Sequence, residues 1–170
     1  MRGASATGRW VLLVYRLPRE PSTPRISVWR KLKRLGVAQL ADGLVTLPLD
    51  ARNREQLEWI AEEVIEAGGE ATVWLGEPAS LIQEQALVAA MAEARGKDYE
   101  AVAQAAERAL HADPTSARRT LERLRREMHR IALRDYFPPP QRQQARAAVR
   151  TLADSLASTQ DATTAQEQMR

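Results

Sequence analysis

The apolar residues near the start of the chain are arranged as a buried strand followed by an amphipathic helix. Residues 10–15, "WVLLVY", form an apolar run rich in β-branched and aromatic residues, and the prolines of "RLPREPSTP" end it. Apolar residues then recur at helical spacing until Gly36: Val28, Trp29, Leu32 and Leu35. We expect Ser22 or Thr23 to cap this helix, with Pro24 in its first turn.

The following pattern predicts a hairpin, a second helix and a fourth strand. "VAQLADGLVTLP" is typical of two strands joined at Asp42-Gly43, a dipeptide that tolerates the positive φ of a tight turn. Residues 51–67 carry an apolar helical stripe that ends at Gly68-Gly69, and the strand "EATVWL" follows. The order strand, helix, strand, strand, helix, strand predicts an α+β, ferredoxin-like βαββαβ domain.

After Gly76 the pattern becomes helical throughout. Alanine, glutamate, arginine and leucine dominate, and we predict helices at 79–95, 98–111, 115–134 and 140–157, with Asp98 and Thr115 as caps. The predicted organisation is a flexible N-terminus at 1–8, a ferredoxin-like domain at 9–77, an all-helical C-terminal extension at 78–158 and a flexible tail at 159–170.

Composition limits the chemistry that the chain can perform. The 170 residues include no cysteine, which excludes disulfides, thiolate metal sites and cysteine nucleophiles. A chain without cysteine suits a reducing cytoplasm, where we expect this protein. Apolar runs all fall short of the roughly 20 residues of a membrane span, so we expect no membrane partner.

Charge is distributed in blocks along the chain rather than evenly. The net charge is +3. From Arg9 to Arg34 the lone acidic residue is Glu20, whereas every charged residue from Glu55 to Glu84 is a glutamate. Residues 118–150 are basic again, so the molecule is expected to have basic and acidic faces.

The basic face of the first helix and the loop before it form the candidate binding surface. Six cations there are predicted to contact an anion or a nucleic acid through salt-sensitive bonds: Arg16, Arg19, Arg25, Arg30, Lys33 and Arg34. Stiff prolines hold the loop arginines near one place, which favours function. A solvated helix face would carry similar charges without any partner, so both interpretations stand at this point. The spacing of residues identifies no helix-turn-helix.

The residues just described, "WVLLVYRLPREPSTPRISVWRKLKRLGVAQLADGLVTLPLD", resemble the N-terminal domain of ChrB proteins, the regulators associated with chromate resistance. The later run "IALRDYFPPPQRQQARAAV" is similar to that family's helical ending. More distantly, the domain is similar to a ferredoxin-like module of PaaX-type repressors and of small CRISPR adaptation nucleases. The resemblance implies the ferredoxin-like fold, a homodimer and a role in transcriptional control of chromate resistance, with chromate as the signal.

Catalysis is not expected. The nucleases that the domain resembles place a metal-binding Asp just after the first strand, where this sequence has Arg16, and a guanidinium repels Mg²⁺. Asp42 is assigned to the hairpin turn. His111 and His129 lie on separate predicted helices, and the sequence has neither a Gly-rich dinucleotide loop nor a thiol for chromate reduction. We therefore expect no catalytic residue, no metal and no cofactor.

The second basic block predicts packing as well as charge. An apolar stripe is expected in the core: Leu121, Leu124, Met128 and Ile131. The arginines around it could pair with the glutamates of residues 55–70, in the same chain or in a second subunit. In "RDYFPPP" we expect Arg134 and Asp135 to pair locally. Of the four tryptophans, Trp59 alone lies off its apolar stripe, and the other three are expected in the core.

These patterns and the resemblance together predict a non-catalytic, cytoplasmic regulatory protein of chromate resistance. It is expected to be a homodimer that binds DNA, responds to chromate, or does both through its basic surface. The alternative is a protein–protein interaction module that partners a separately encoded ChrB C-terminal domain without contacting nucleic acid. Since full-length ChrB proteins carry that second domain, the sequence fits equally a stand-alone unit and the N-terminal part of a longer chain.

Overall fold

The computed structural model describes the backbone of residues 8–168 and the side chains of residues 8–159. The chain divides into two compact units, one ending at Met91 and one beginning at Ala92. This division falls within a helix, whereas the sequence suggested a boundary after residue 77. Apart from Gly8, the N-terminal segment predicted to be flexible lies outside the described residues.

The first unit contains a four-stranded antiparallel sheet and two packed helices. Its elements are β1 (Trp10–Arg16), α1 (Ser22–Leu35), β2 (Ala38–Ala41), β3 (Leu44–Pro48), α2 (Ala51–Glu66) and β4 (Glu70–Gly76). The strand order is β2-β3-β1-β4, with every neighbouring pair antiparallel. Helix α2 packs on β1 and β4, and α1 packs beside α2. This arrangement confirms the predicted ferredoxin-like βαββαβ domain.

Side-chain alternation along β1 separates the two faces of the sheet. Val11 and Leu13 are completely buried, whereas Val14 is 42% exposed. On the face that Val14 shares, Leu12 pairs across the strands with Thr46 of β3 and Trp74 of β4. Trp74 is 61% exposed, so its predicted place in the core is wrong and this face of the sheet is partly open to solvent.

Local chemistry explains where the turn and the helices begin. Gly43 adopts a φ of 72° in the turn after Asp42, as the dipeptide predicted. The predicted side-chain cap of α1 is wrong, because α1 begins at Ser22 after Pro21 and no side chain caps it. Helix α2 is capped by Asp50, whose carboxylate accepts a hydrogen bond of 2.6 Å from the backbone N–H of Asn53.

Substitution of Asp50 by alanine is expected to lower the free energy of unfolding by about 1 kcal/mol, because the first turn of α2 loses its cap. Asp50→Ser should keep most of this stability, since a serine oxygen can accept the same bond. Urea unfolding of the three proteins, followed by circular dichroism, measures the difference. Equal midpoints for wild type and Asp50→Ala would contradict the assignment of the cap.

Two of the three remaining helices are longer than the sequence indicated. They are α3 (Leu81–Ala109), α4 (Pro114–Ala132) and α5 (Gln141–Gln168). The predicted break between two helices at residues 95–98 is wrong, because α3 continues through Gly96 and Asp98. The side chain of Gln141 lies 3.2 Å from the point that a Cβ on Gly96 would occupy, so glycine permits this close approach. Helix α5 extends beyond the predicted end at residue 157.

The second unit has its own core between α4, α5 and the second half of α3. Tyr99 is completely buried there, together with apolar residues of all three helices: Val102, Ala106, Leu121, Leu124, Ile131, Ala145 and Leu152. Of the predicted apolar stripe of α4, Leu121, Leu124 and Ile131 are confirmed as core, and Met128 is partly buried against them. Asp113, rather than the predicted Thr115, caps α4 by accepting from two backbone N–H groups. Across the described residues, no helix has both the length and the apolar character needed to cross a membrane.

Candidate nucleic-acid interface

Helix α1 presents most of the predicted binding residues, because only one of its faces is buried. Val28 and Leu32 point into the core of the first unit. The helical period then places residues 25, 29 and 33 on one flank, residue 30 outward, and residues 27, 31 and 34 on the flank toward α2. The sequence of α1 thus sorts its cations onto different sides of one helix.

The first flank combines two cations with an exposed indole. Trp29 is 51% exposed, although it was expected in the core. The Nζ atom of Lys33 lies 4.7 Å from the centroid of the Trp29 ring, within the range of a cation–π interaction. Arg25 stands one turn before Trp29 on the same flank. We call these three residues, Arg25, Trp29 and Lys33, the Trp29 stripe.

The proline-rich loop is tied to the Trp29 stripe by one hydrogen bond. The Nη2 atom of Arg25 donates to the backbone carbonyl of Pro18 over 2.8 Å. This bond holds the loop against the start of α1 and brings Arg19, the next residue, close to the stripe. Arg19 and Arg30 are both exposed, so they extend the positive surface around the Trp29 stripe.

The opposite flank of α1 is already engaged with α2. Lys31 forms an ion pair with Glu63, which also accepts a hydrogen bond of 3.1 Å from the hydroxyl of Ser27. Arg34 lies further along this flank and lines a groove of about 340 Å³ together with Trp59. Arg34 is therefore separated from the Trp29 stripe by the width of the helix.

Arg16 is also placed apart from the helix. It is the last residue of β1, pairs across the strands with Glu70, and shares the sheet face of Leu12 and Val14. The structure therefore places Arg19, Arg25 and Lys33 in or beside the Trp29 stripe, and Arg30 beside Lys33 on the outward face. Arg34 lies one turn from Arg30 on the flank toward α2, and Arg16 lies on the sheet. All six of these side chains are exposed.

Sequence reasoning missed Trp29 as a member of this surface. Its spacing from Leu32 suggested a core residue, but the arginine and the lysine four positions before and after it mark the same flank as polar. That i, i+4, i+8 spacing of a cation, an aromatic and a cation was the available signal.

A second charged cluster lies in the helical unit and holds the "RDYF" element. Arg134 was predicted to pair with its neighbour Asp135, but this prediction is wrong. Its Nη2 atom instead lies 3.0 Å from Oδ2 of Asp98, an oxygen that is also 3.1 Å from Nε of Arg95. Asp98 thus binds two arginines rather than capping a helix.

Asp135 forms the other half of this cluster. Its carboxylate is completely buried and accepts a hydrogen bond of 2.8 Å from the Tyr99 hydroxyl. Nη1 of Arg142 lies 3.6 Å from the same Oδ2 atom. The side chains of Tyr99, Asp135 and Arg142 therefore tie α3 to the start of α5 through the segment after α4.

Tyr99 should make the second unit less stable at strongly alkaline pH. Burial raises the pKa of Tyr99 to about 12, and both the hydrogen bond to Asp135 and the charge of Asp135 act in the same direction. The unfolded chain releases this proton near 10.0, the ordinary pKa of tyrosine. Because only the folded state keeps the proton, the stabilisation is complete below pH 10 and is lost as the pH rises from about 10 to about 12.

The measurement is urea unfolding of wild type and Tyr99→Phe between pH 9 and pH 12. The difference in stability between the two proteins should shrink as the pH rises, since every other titratable group is present in both. A difference that stays constant with pH would contradict the raised pKa.

The described part of the chain contains no group of three or more His, Asp or Glu side chains placed to hold a metal ion. The absence of catalytic residues, metals and cofactors remains an expectation from the sequence. The exposed residues of α1 are suited to binding. Their guanidinium and ammonium groups can bind phosphates, and the indole can stack on a base.

Comparison with known proteins gives a family match. The family model described as "Protein ChrB, N-terminal" matches residues 25–169. The curated Protein ChrB of Cupriavidus metallidurans is 38% identical over 66 residues, which are 39% of this chain and 20% of that protein. The chain therefore matches about a fifth of the length of this relative. No solved structure matches the chain.

Proposed function

Because the chain belongs to the ChrB N-terminal family, which is associated with chromate resistance, we propose that it is a regulatory protein that contacts DNA through the Trp29 stripe and the neighbouring Arg19 and Arg30. The observation that carries the proposal is the exposed indole of Trp29, flanked by Arg25 and Lys33 on one side of α1. Cations interleaved with an exposed aromatic ring are typical of nucleic-acid-binding surfaces.

The exposure of the cations favours a long polyanion over a small dianion. All six predicted cations are accessible to solvent. An exposed cation gains little from one hydrated dianion, but along a nucleic acid each contact releases condensed counterions. The proposed primary ligand is therefore the phosphate backbone, and Trp29 adds stacking where a base is unpaired.

Fluorescence anisotropy with labelled promoter-region DNA and with unrelated DNA, at two salt concentrations, tests the proposal. We expect affinity to fall steeply as salt rises, because phosphate contacts dominate. Tighter binding of the promoter-region DNA supports the regulatory role, since phosphate contacts alone do not specify a sequence. Absence of binding at low salt would refute the proposal.

Chromate response is the second part of the proposed role. Chromate and sulfate are both tetrahedral dianions, so their competition for the protein–DNA complex separates a specific response from simple screening. A chromate-specific role for this chain would show as release of DNA by chromate at concentrations at which sulfate has no effect. Equal effects of the two anions would remove chromate sensing from the role of this chain and leave DNA binding intact.

A protein–protein interaction module is the second candidate function, and the open face of the sheet favours it. Val14, Leu40 and Trp74 are 42%, 47% and 61% exposed on that face. Trp10, Leu12 and Leu87 line an apolar groove of about 560 Å³ beside them. A separately encoded ChrB C-terminal domain is the expected partner, and Trp74→Ser should abolish its binding while leaving DNA affinity unchanged.

A further inference from the structure

One outward stripe of α2 is acidic but carries a large apolar residue. Residues 55, 59, 62 and 66 follow the helical period on the side opposite the buried Leu57 and Val64. We call Glu55, Trp59, Glu62 and Glu66 the acidic stripe. Trp59 is 53% exposed at its centre. Among the ion pairs of the described residues, α2 uses Glu58 and Glu63, so the three glutamates of the acidic stripe have no cationic partner there.

The second unit carries a surface of opposite charge. A groove of about 600 Å³ runs between α4 and α5, and we call it the arginine groove. Its rim includes Arg125, Arg146 and Arg150, all exposed and none in an ion pair within the described part of the chain. Its lining also includes Met128, Val149, Ala153 and Asp154.

We propose that the arginine groove binds the acidic stripe of a second copy of this chain. Glu62 and Glu66 are one turn apart on α2, as Arg146 and Arg150 are on α5, so two charge pairs can form in register. Trp59 supplies the apolar anchor for a floor of Met128 and Val149, and a thioether against an indole is a favourable contact. The contact joins the groove of one copy to the acidic stripe of another.

The lining of the groove favours this partner over nucleic acid. A phosphate backbone has no apolar group to place against the floor of Met128 and Val149. An amphipathic helix with glutamates and one exposed tryptophan satisfies both the floor and the rim, which is the helix-in-groove mode of recognition. The proposed dimer contact goes beyond DNA contact and uses none of the residues of the Trp29 stripe. Either proposal can therefore fail while the other holds.

Sedimentation velocity of the full chain across a concentration series tests the proposal by charge reversal. Wild type is expected to form a dimer. The groove variant Arg146→Glu/Arg150→Glu and the helix variant Glu62→Arg/Glu66→Arg should each raise the dimer dissociation constant at least about 30-fold, because each places like charges together. Mixing the two variants should restore the dimer, since every contact in the mixed pair again joins opposite charges.

A matched control is Arg119→Glu/Arg123→Glu, which reverses two exposed arginines at the same spacing on the side of α4 away from the groove. It should dimerise like wild type, and circular dichroism should show all variants folded. A wild type that stays monomeric, or variants that do not restore the dimer when mixed, would overturn the proposal. A groove variant that dimerises normally but loses DNA affinity would also overturn it and would assign the groove to nucleic acid.

Discussion

Asp135→Ala is expected to destabilise the helical unit by about 2–4 kcal/mol. The substitution removes a completely buried carboxylate that accepts from Tyr99 and faces Arg142. Removing one partner of a fully buried ion pair costs about 3–5 kcal/mol, because the other charge stays buried and unpaired. Arg142 retains 27% exposure, so water can partly compensate and the expected loss is somewhat smaller.

Asp135→Asn separates the charge of this carboxylate from its hydrogen bond. The amide oxygen can still accept from Tyr99, so we expect Asp135→Asn to lose less stability than Asp135→Ala. Asp154→Ala removes an exposed aspartate of α5 and should change stability by less than about 0.5 kcal/mol.

Hydrogen exchange followed by mass spectrometry is the measurement, since it reports each unit of the chain separately. Faster exchange in Asp135→Ala should appear in residues 92–159, with residues 10–76 less affected. Protection equal to wild type throughout the helical unit would contradict the structural role of Asp135.

Removing three cations from α1 is expected to have the second large effect. The variant Arg25→Ala/Arg30→Ala/Lys33→Ala should weaken DNA binding roughly 10–100-fold at low salt. The slope of log K against log salt should also become shallower by about 3, because each lost phosphate contact contributes close to one unit.

A control with equal loss of charge distinguishes a local surface from the net charge of the molecule. Arg52→Ala/Arg54→Ala/Lys97→Ala removes three exposed cations outside α1 and its loop. Its affinity should stay within about 3-fold of wild type. Equal losses in the two triple variants would show that total charge, not the α1 surface, governs binding.

The fold of the first unit follows from short-range signals that the sequence states clearly. The apolar run 10–15, the Asp42-Gly43 turn and the glycines after α2 set the order and length of its elements. The order alone predicted the ferredoxin-like topology, because few arrangements bury such a set of strands and helices. The cap of α1 was missed because Ser22 and Thr23 fall inside the first turn, after Pro21.

The second unit was harder to predict because tertiary contacts override local signals there. Glycine and aspartate at residues 96 and 98 normally end or begin a helix. In the fold, Gly96 accommodates the close approach of Gln141, and Asp98 binds Arg95 and Arg134. Gln141 and Arg134 are more than 35 positions away from Gly96 and Asp98 in the sequence. No local pattern can show contacts between residues so far apart.

The candidate site was predicted in outline only. The sequence placed Arg25, Arg30 and Lys33 on α1, where the structure has them. It could not place Arg16 on the far face of the sheet or Arg34 on the flank toward α2, because the number of cations in a segment does not show which way each side chain points. Trp29 was assigned to the core because of its spacing from Leu32, although the cations four positions before and after it marked its flank as polar.

The most direct test of the proposed DNA contact is the indole Nε1–H signal of Trp29 in ¹H–¹⁵N spectra during titration with an oligonucleotide. Trp29→Phe assigns the signal, and Trp59, with almost the same exposure on α2, serves as the internal reference. Contact with DNA should give Trp29 a large, saturable shift and Trp59 a much smaller one. A signal from Trp29 that does not move while the oligonucleotide binds would contradict DNA contact at the Trp29 stripe.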